Sequence, residues 1–258
     1  MRSGRRDAAM SDALPGARLG EGKEAEVVAY GNLAAKIYNA GASKHRPLRE
    51  AANQAFAESL GLPVPAIYEV RQIAGRWAIV MDRVAGGSFA DAVERNPDAL
   101  PQYLEQMVTL HRSVHAHGAI PLGALRQRLA GNIRAAPGLA DSDRQRLLIL
   151  LRDMPDADRL CHGDFHPYNV LGDLQHPVII DWLDATSGDP LADVCRSYVL
   201  MRPVAPEVAS AYVEAYCEAA GQAVDGVLRW VPLVAAARLA ENVPHEADAL
   251  LEMATVAQ

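Results

Sequence analysis

The stretch CHGDFHPYNVLGDLQHPVIIDW, residues 161–182, combines side chains that could hold a metal ion and a reacting hydroxyl group. The runs NVLG and HPVIID predict two strands around the turn GDLQHP, and symmetric closure about residue 175 would place Asn169 opposite Asp181. Their amide and carboxylate oxygens are hard ligands that suit Mg²⁺, with water or phosphate at the other positions. Asp164, five residues before Asn169, could orient whatever the metal holds.

A second set of candidate residues lies nearer the N-terminus. LGEGKEAEVVAY contains Gly20 and Gly22 and follows the pattern G-x-G-x-x-G-x-V, except that Ala25 replaces the third glycine. Lys36 follows in LAAKIY, on the next predicted strand. Because a lysine turned inward from an apolar strand needs an anionic partner, Glu50 in the helix that follows is its candidate ion-pair partner.

The order of these residues along the chain is the order that phosphoryl transfer from a nucleotide requires. A metal ion and Lys36 would neutralise the phosphates, while Asp164 would orient an attacking hydroxyl group. Simpler interpretations stay open for each part: an Asx-rich turn beside the hairpin, a surface ion pair of Lys36 with Glu50, and an ordinary turn at Gly20 and Gly22.

The elements that must position these residues follow from turn and periodicity signals. EVVAYG and LAAKIYN predict strands joined at Gly31, residues 43–61 predict a helix, and AIYEV and RWAIVMDRV predict two more strands around Gly75. Helices are predicted from Asn96 onward, around residues 122–135 and 141–152, and from about 190 to the end. This pattern predicts an α+β chain with a small antiparallel N-terminal sheet and a mainly helical C-terminal part.

The domain organisation follows from the same reading. Residues 1–14 are predicted to be a disordered leader, residues 15–84 a nucleotide-binding lobe, and residues 85–258 a helical lobe for catalysis and acceptor binding, with a connector near 82–88.

Composition excludes several other classes of protein. The chain has 258 residues, half of them hydrophobic, and a net charge of −7, which argues against nucleic acid or an anionic membrane as the main partner. Apolar runs such as LLILL are too short to span a membrane, and the N-terminus lacks the apolar segment of a secretory signal. Three cysteines without C-x-x-C spacing argue against a thiolate zinc site and favour a cytoplasmic location. The oligomeric state stays open.

Two motifs resemble the aminoglycoside phosphotransferase and choline-kinase-like family, which shares the protein-kinase fold. HGDFHPYN is similar to that family's catalytic loop H-G-D-x-H-x-x-N, and IIDWLDATSGDPLADV is similar to its metal segment I-D-W-x-x-x-x-x-G-D-P-x-x-D. The similarity extends over about residues 17–245. It implies a bilobal kinase-like fold and a small-molecule kinase that uses Mg²⁺ and ATP or GTP. The acceptor would bear a hydroxyl group; an aminoglycoside or related antibiotic, a sugar and an amino-alcohol are candidates.

The resemblance also implies roles for the matching residues. Asp164 would be the catalytic base or the hydroxyl-orienting group, and Asn169 and Asp181 would bind Mg²⁺. Lys36 would contact the α- and β-phosphates, positioned by Glu50.

The nucleotide base and the loops would be held by further residues that the resemblance marks. The backbone of Met81, Asp82 and Val84 would form the hinge that receives the adenine, and Gly20 and Gly22 would cover the phosphates. The loops would be braced, without reacting, by His162, Asp189 and Asp193. His166 would either touch the acceptor or fix the catalytic loop.

Two other features admit a functional and a structural interpretation. His111 and His115 in HRSVHAH lie one helical turn apart, a spacing that could bind metal, but without a carboxylate at a recognisable spacing we predict an ordinary helix face. Residues 203–258 contain eight acidic and two basic residues, which suits a cationic acceptor or a solvated surface. Their segment AAARLAENVPHE could bring Glu241, Asn242 and Glu246 near an acceptor.

Alternative functions are a nucleotide-binding pseudoenzyme that acts through partners and a metallohydrolase with HGDFH as its metal ligands. Asp164, Asn169, Asp181 and Lys36 are all present, which counts against the pseudoenzyme, and later spaced histidines are lacking for the hydrolase. A protein kinase is less expected, because no A-P-E-like segment follows Asp181.

Overall fold

The computed structural model describes residues 14–255, without the surroundings of the Pro244 side chain. The predicted leader therefore lies outside the described residues, except for Leu14. The chain forms two compact units. The N-terminal unit comprises the described residues up to Phe89 together with Val170–Leu183, and the C-terminal unit comprises Ala90–Asn169 and the described residues from Asp184 onward.

The main sheet of the N-terminal unit is antiparallel and has five strands. These are β1 (Pro15–Glu21), β2 (Ala25–Tyr30), β3 (Leu33–Tyr38), β4 (Ile67–Ile73) and β5 (Arg76–Asp82), in the spatial order β1–β2–β3–β5–β4. Glycines with positive φ form the turns between β2 and β3, at Gly31, and between β4 and β5, at Gly75. The predicted hairpins and the predicted helix, α1 (His45–Ser59), are confirmed.

Alternation along the strands gives the sheet two different faces. Ile37 and Val80 belong to a buried cluster on one face, whereas Tyr38 and Ile79 pack with α1 on the other. Because neighbouring residues of a strand point to opposite faces, Lys36 lies on the face that α1 covers. The pattern of β3 therefore directs its lysine toward a helix.

Four short strands form two further antiparallel pairs. They are β6 (Arg159–Cys161), β7 (Val170–Leu171), β8 (Val178–Ile179) and β9 (Thr186–Gly188); β6 pairs with β9 and β7 with β8. The pair of β6 with β9 was not predicted, because strands of three residues carry too little periodicity.

The β7–β8 hairpin is present, but its predicted register is wrong. Val170 pairs with Ile179, whereas closure about residue 175 would pair it with Ile180. The turn explains the shift: Gly172 has φ 99°, and the Asp173 carboxylate accepts hydrogen bonds from two backbone N–H groups that follow it. This Asx turn fixes the loop and thereby the register.

Helices make up most of the remaining chain. They are α2 (Phe89–Arg95), α3 (Leu100–His115), α4 (Leu125–Ala135), α5 (Asp141–Asp153), α6 (Pro190–Met201), α7 (Pro206–Ala220), α8 (Val224–Leu228), α9 (Val231–Leu239) and α10 (Ala247–Thr255). The α+β prediction is confirmed, although α2 was not predicted.

Two helix starts show how local sequence acts. Asp189 caps α6 by accepting a hydrogen bond from the backbone N–H of Leu191 at 2.7 Å, with Pro190 as the first helical residue. Asn96 makes no such side-chain bond, and the residues after it, Pro97–Ala99, form a 3₁₀ turn before α3 begins. The described helices include none that is long and apolar enough to cross a membrane.

Candidate functional site

Lys36, Glu50 and Asp181 meet in the N-terminal unit. The Lys36 ammonium nitrogen lies 2.6 Å from a carboxylate oxygen of Glu50 and 3.2 Å from one of Asp181. β3 supplies the lysine, α1 the glutamate, and the segment after β8 the aspartate. The Tyr38 hydroxyl donates a hydrogen bond to the other oxygen of Glu50. The structure thus joins three residues that the sequence singled out and adds a tyrosine that it did not.

The charge of this group is set by unequal burial. Only 2% of the Glu50 side chain and 14% of the Lys36 side chain are exposed, against 39% for Asp181. Burial alone would lower the pKa of Lys36, but the charges of Glu50 and Asp181 raise it above its usual value. The ammonium group therefore persists at neutral pH, beside a carboxylate that solvent or a ligand can reach.

The backbone at Asp181 is held in an unusual conformation. Its φ of 63° lies in the left-handed region, which residues other than glycine seldom adopt. The next residue, Trp182, is fully buried, its indole N–H donates to the carbonyl of Ile179 at 3.2 Å, and its own carbonyl accepts from the Asn53 side chain at 2.9 Å. Residues held in this way cluster at ligand-binding sites, which favours a binding role for the Asp181 carboxylate.

The two glycines of the first motif flank a simple turn. Gly20 lies in β1, and Gly22 follows it, donating its N–H to the carbonyl of Ala25 at 2.9 Å. Neither has a positive φ, and a Cβ built at Gly20 would meet no described atom within 4 Å. The backbone conformation at these positions does not itself require glycine. The geometry is therefore compatible with a glycine that leaves room for a phosphate and with an ordinary turn.

The predicted hinge lies at the end of β5. Met81 is buried, Asp82 is the last residue of the strand, and Val84 lies just beyond it. The Asp82 carboxylate accepts hydrogen bonds from the Tyr68 hydroxyl at 2.7 Å and the Ala66 N–H at 3.3 Å. Its side chain is thus engaged within the sheet, and the candidate groups for binding a base are those of the backbone.

In the C-terminal unit, the loop after β6 is fixed by Asp193 of α6. The two oxygens of its carboxylate accept hydrogen bonds from the backbone N–H groups of His162, at 2.6 Å, and Gly163, at 2.8 Å. Gly163 has φ 81°, and a Cβ there would lie 2.3 Å from the carbonyl oxygen of Asp184. Only glycine fits, so the H-G-D sequence sets the direction of Asp164.

Asp164 lies among polar groups of its own loop and of α6. The Asn169 amide nitrogen donates to the Asp164 carboxylate at 3.1 Å and to its backbone carbonyl at 2.9 Å. His166 lies 3.5 Å from one carboxylate oxygen, and Arg196 lies 3.6 Å from the other. The structure therefore brings Asp164 and Asn169 together and adds Arg196, which the sequence did not mark.

These neighbours keep Asp164 ionised. Burial alone would raise its pKa, but the hydrogen bond with His166 and the positive charge of Arg196 hold it well below its usual value. An ionised carboxylate is a good hydrogen-bond acceptor and a weak base at neutral pH. The arrangement can orient a hydroxyl group and take its proton late in a reaction.

The two histidines of α3 are buried and satisfied. The Nε2 atoms of His111 and His115 lie 3.0 and 3.2 Å from the Asp193 carboxylate, and their Nδ1 atoms contact the hydroxyls of Tyr212 and Tyr216 at 2.6 and 2.7 Å. Because α6 supplies the carboxylate, its position near the histidines could not be predicted from their spacing in the sequence. Although these groups are close enough to hold a metal ion, every ring nitrogen already has a hydrogen-bond partner, which favours a structural network.

Arginines and carboxylates continue from Asp164 toward the C-terminus. Arg196 lies 2.7 Å from Glu241, which also pairs with Arg238, and Arg238 contacts both oxygens of Glu246 at 2.7 and 2.9 Å. The sequence flagged the two glutamates but not their arginine partners. Ion pairing depends on how α6 and α9 pack, and one sequence carries no direct signal of that.

A family model described as the phosphotransferase enzyme family matches residues 18–231. A thermostable mutant of aminoglycoside phosphotransferase APH(4)-Ia, in ternary complex with ADP and hygromycin B, has a TM-score of 0.67 and 16% identity, covering 96% of this chain and 95% of that one. Among curated proteins, no sequence matches the chain.

Two other solved structures have the same architecture. For a type VIII aminoglycoside-3'-phosphotransferase the TM-score is 0.61 and the identity 22%, over 90% of this chain and 92% of that one. For a choline/ethanolamine kinase family protein from Mesorhizobium loti the TM-score is 0.63 and the identity 18%, over 96% and 88%. At such identities the likeness concerns the fold, and the predicted bilobal kinase-like fold is confirmed.

Proposed function

The chain belongs to the phosphotransferase enzyme family, and from that premise we propose that it is a small-molecule kinase. The predictions of the family and of a phosphotransferase are confirmed by the match. We further propose that the enzyme transfers the γ-phosphate of ATP or GTP to a substrate hydroxyl group in the cytoplasm. The neighbour complex with ADP and hygromycin B supports a nucleotide donor and makes an aminoglycoside one candidate acceptor; a sugar and an amino-alcohol are others.

The observation that carries the proposal is the pairing of Lys36 with both Glu50 and Asp181. A nearly buried ammonium group fixed by a helix carboxylate can bind the α- and β-phosphates without losing its orientation. Tyr38 adds to that orientation through its hydrogen bond to Glu50. Gly20 and Gly22 would cover the phosphates, and the backbone of residues 81–84 would receive the base.

The donor groups fit Mg²⁺ as the metal. The amide nitrogen of Asn169 is engaged with Asp164 and His166, and its amide oxygen has no hydrogen bond within the described residues. Asp181 is partly exposed and contacts Lys36 through one of its two oxygens. Hard oxygen donors of this kind are what Mg²⁺ takes from proteins, and the bound ion would neutralise charge on the phosphates. We propose Asn169 and Asp181 as its ligands.

Asp164 would serve the acceptor. In the proposed step the acceptor oxygen forms a bond to the γ-phosphorus while the bond to the β-phosphate oxygen breaks, and the hydroxyl proton leaves to Asp164. Because its pKa is held low, Asp164 acts mainly by orienting the hydroxyl group. Asn169, which donates to the same carboxylate, fixes its rotamer.

The experiment is Mg²⁺-dependent release of ADP or GDP over a panel of aminoglycosides, macrolides, sugars and amino-alcohols. Wild type, Asp164→Ala and the exposed control Asp153→Asn are compared. We expect one acceptor class to stimulate release in wild type and in the control, and at least a thousandfold loss in Asp164→Ala with nucleotide binding retained.

Undiminished turnover in Asp164→Ala would refute the assigned role of that residue. Nucleotide that stabilises the protein without any acceptor-dependent release would instead support the pseudoenzyme alternative.

A further inference from the structure

The carboxylates that lie beside the catalytic loop on the C-terminal side are already paired with arginines. Glu241 contacts Arg196 at 2.7 Å and also pairs with Arg238. Glu246 accepts two hydrogen bonds from the same Arg238 guanidinium. Bidentate contacts of this kind are among the strongest that arginine makes with a carboxylate.

These arginines have little access to solvent. Only 10% of the Arg196 side chain and 13% of the Arg238 side chain are exposed. Burial would lower the pKa of Arg238, but Glu246 and Glu241 raise it. Arg196 also donates from Nε to the carbonyl of Gly163 at 3.2 Å, so it is held against the residue that precedes Asp164.

A third pair lies against the same loop from the other direction. Asp184 contacts Arg128 at 2.8 Å, and a Cβ built on Gly163 would meet both the Asp184 carbonyl oxygen and the Arg128 guanidinium. Glu241, Glu246 and Asp184 are thus neutralised within the protein. Asp164 itself has Arg196 at 3.6 Å.

We propose that the acceptor is an uncharged hydroxyl compound, such as a sugar or polyol, and not a polycationic aminoglycoside. A polyamine needs unpaired carboxylates, and to obtain Glu241, Glu246 or Asp184 it must displace Arg196, Arg238 or Arg128. Displacement would leave a nearly buried guanidinium group without its partner, which is strongly unfavourable. Paired carboxylates keep lone pairs that accept hydrogen bonds from neutral hydroxyl groups. This inference rests on the proposed function and narrows its acceptor.

The test measures binding without turnover, by isothermal titration calorimetry with hygromycin B and neomycin in the presence of Mg²⁺ and a non-hydrolysable ATP analogue. Wild type is compared with Arg238→Gln, which frees Glu246 and one side of Glu241. Arg146→Gln is the matched control, because it removes one positive charge from a partly exposed pair with Asp143. We expect wild type and the control to have Kd values above about 1 mM, and Arg238→Gln to bind at least tenfold more tightly.

Submillimolar binding of either aminoglycoside to wild type would overturn the proposal, as would an Arg238→Gln variant that folds and gains no affinity. Arg128→Gln, which frees Asp184, is the second variant should Arg238→Gln fail to fold, and the same gain is expected of it. Submillimolar binding to wild type would overturn the proposal even if neither variant folds.

The same protein is assayed for nucleotide diphosphate release with uncharged sugars and polyols. Release stimulated by an uncharged acceptor supports both proposals. Release stimulated only by aminoglycosides overturns the acceptor class and leaves the kinase standing. If no acceptor stimulates release, the kinase assignment loses support. The aminoglycoside Kd values of wild type and Arg238→Gln still show whether the arginine pairs prevent binding of a polycation.

Discussion

At the residue scale, the proposed chemistry depends on keeping one carboxylate ionised without making it strongly basic. Asp164 achieves this through its neighbours: Asn169 and His166 contact the carboxylate, and Arg196 supplies a positive charge. Burial opposes ionisation, and these groups outweigh it. His166 and Arg196 set this balance, and Arg196 lies on α6, outside the loop that carries Asp164.

Replacing Arg196 should make the activity sensitive to acid. In wild type the pKa of Asp164 lies well below its usual range, so its carboxylate stays charged from pH 8 down to pH 5. In Arg196→Met the lost charge raises that pKa, and a fraction of Asp164 becomes protonated as pH falls. We expect kcat/KM of the variant, relative to wild type, to fall about twofold between pH 7 and pH 5 in a steady-state assay. Parallel profiles of the two proteins would contradict this role, and Arg146→Met controls for the loss of one charge.

Short motifs made the candidate catalytic residues Asp164 and Asn169 predictable, but not the arginines that surround them. Asp164 and Asn169 lie within one octapeptide, and the need for glycine at position 163 is local. Arg196 and Arg238 were missed because an arginine on a helix looks alike whether it faces water or a carboxylate. Its partner Glu241 lies 45 positions away from Arg196, which the sequence does not connect.

Three elements converge on Lys36 at the element scale. β3 turns the lysine toward α1, α1 presents Glu50 to it, and the segment after β8 adds Asp181. The pair is more buried than an ordinary surface ion pair, so removing one partner leaves an uncompensated charge. The sequence had left open a surface ion pair that contributes little to stability, and the burial of Lys36 and Glu50 argues against it.

Lys36→Met should destabilise the fold. Among the described residues Glu50 would keep only Tyr38 as a partner, and 2% of its side chain is exposed. We therefore expect the free energy of unfolding to fall by about 3–5 kcal/mol. The double variant Lys36→Met/Glu50→Leu removes both charges and should recover much of the loss. Urea denaturation followed by circular dichroism measures this, with the exposed Lys44→Met as control. A single variant within 1 kcal/mol of wild type would mean that the pair is energetically a surface pair.

The histidine network should make stability fall in mild acid. Burial lowers the pKa of His111 to about 3, below its unfolded value of about 6.5. The unfolded chain then binds more protons than the native one between these values, so stability is lost as pH decreases. We expect a loss of about 2 kcal/mol between pH 7 and pH 5 from this residue. His111→Gln should show a flatter dependence in urea titrations, and equal slopes would contradict the assignment.

Elements were predictable where the signal was local. Gly31 and Gly75 fixed two hairpins, and α1 had a strong helical pattern that ended at Gly61. The strands β6 and β9 are too short to give a recognisable sequence pattern. The β7–β8 register depends on an Asx turn at Asp173. The carboxylate that contacts His111 comes from Asp193 on α6. A local sequence pattern therefore could not predict that His111 is buried.

At the scale of the whole molecule, the chemistry is divided between two compact units. The N-terminal unit holds Lys36 with its carboxylate partners Glu50 and Asp181, and the C-terminal unit holds Asp164 with Arg196. The same fold occurs in the neighbours at 16–22% identity, where side chains have changed far more than architecture. The fold was therefore accessible from two motifs, whereas the proposed acceptor class rests on how helices of the C-terminal unit pair their charges.

This division predicts where a nucleotide will act on the protein. A Mg²⁺–nucleotide complex at 100 times its Kd should stabilise the native state by about 2.7 kcal/mol, which raises the Tm of a chain of this size by roughly 5–10 °C. Hydrogen exchange measured by mass spectrometry should slow in β1–β3 and around residues 81–84, and stay unchanged in α7.

Variants separate the roles within that response. Asp164→Ala should keep the full thermal shift, because its carboxylate serves the acceptor. Asp181→Asn should lose most of the shift, since it weakens the proposed metal site, and omission of Mg²⁺ should have the same effect in wild type. A shift that survives in Asp181→Asn, or protection that appears in α7 and not in β1–β3, would place nucleotide binding elsewhere and remove the basis for assigning phosphate contacts to Lys36.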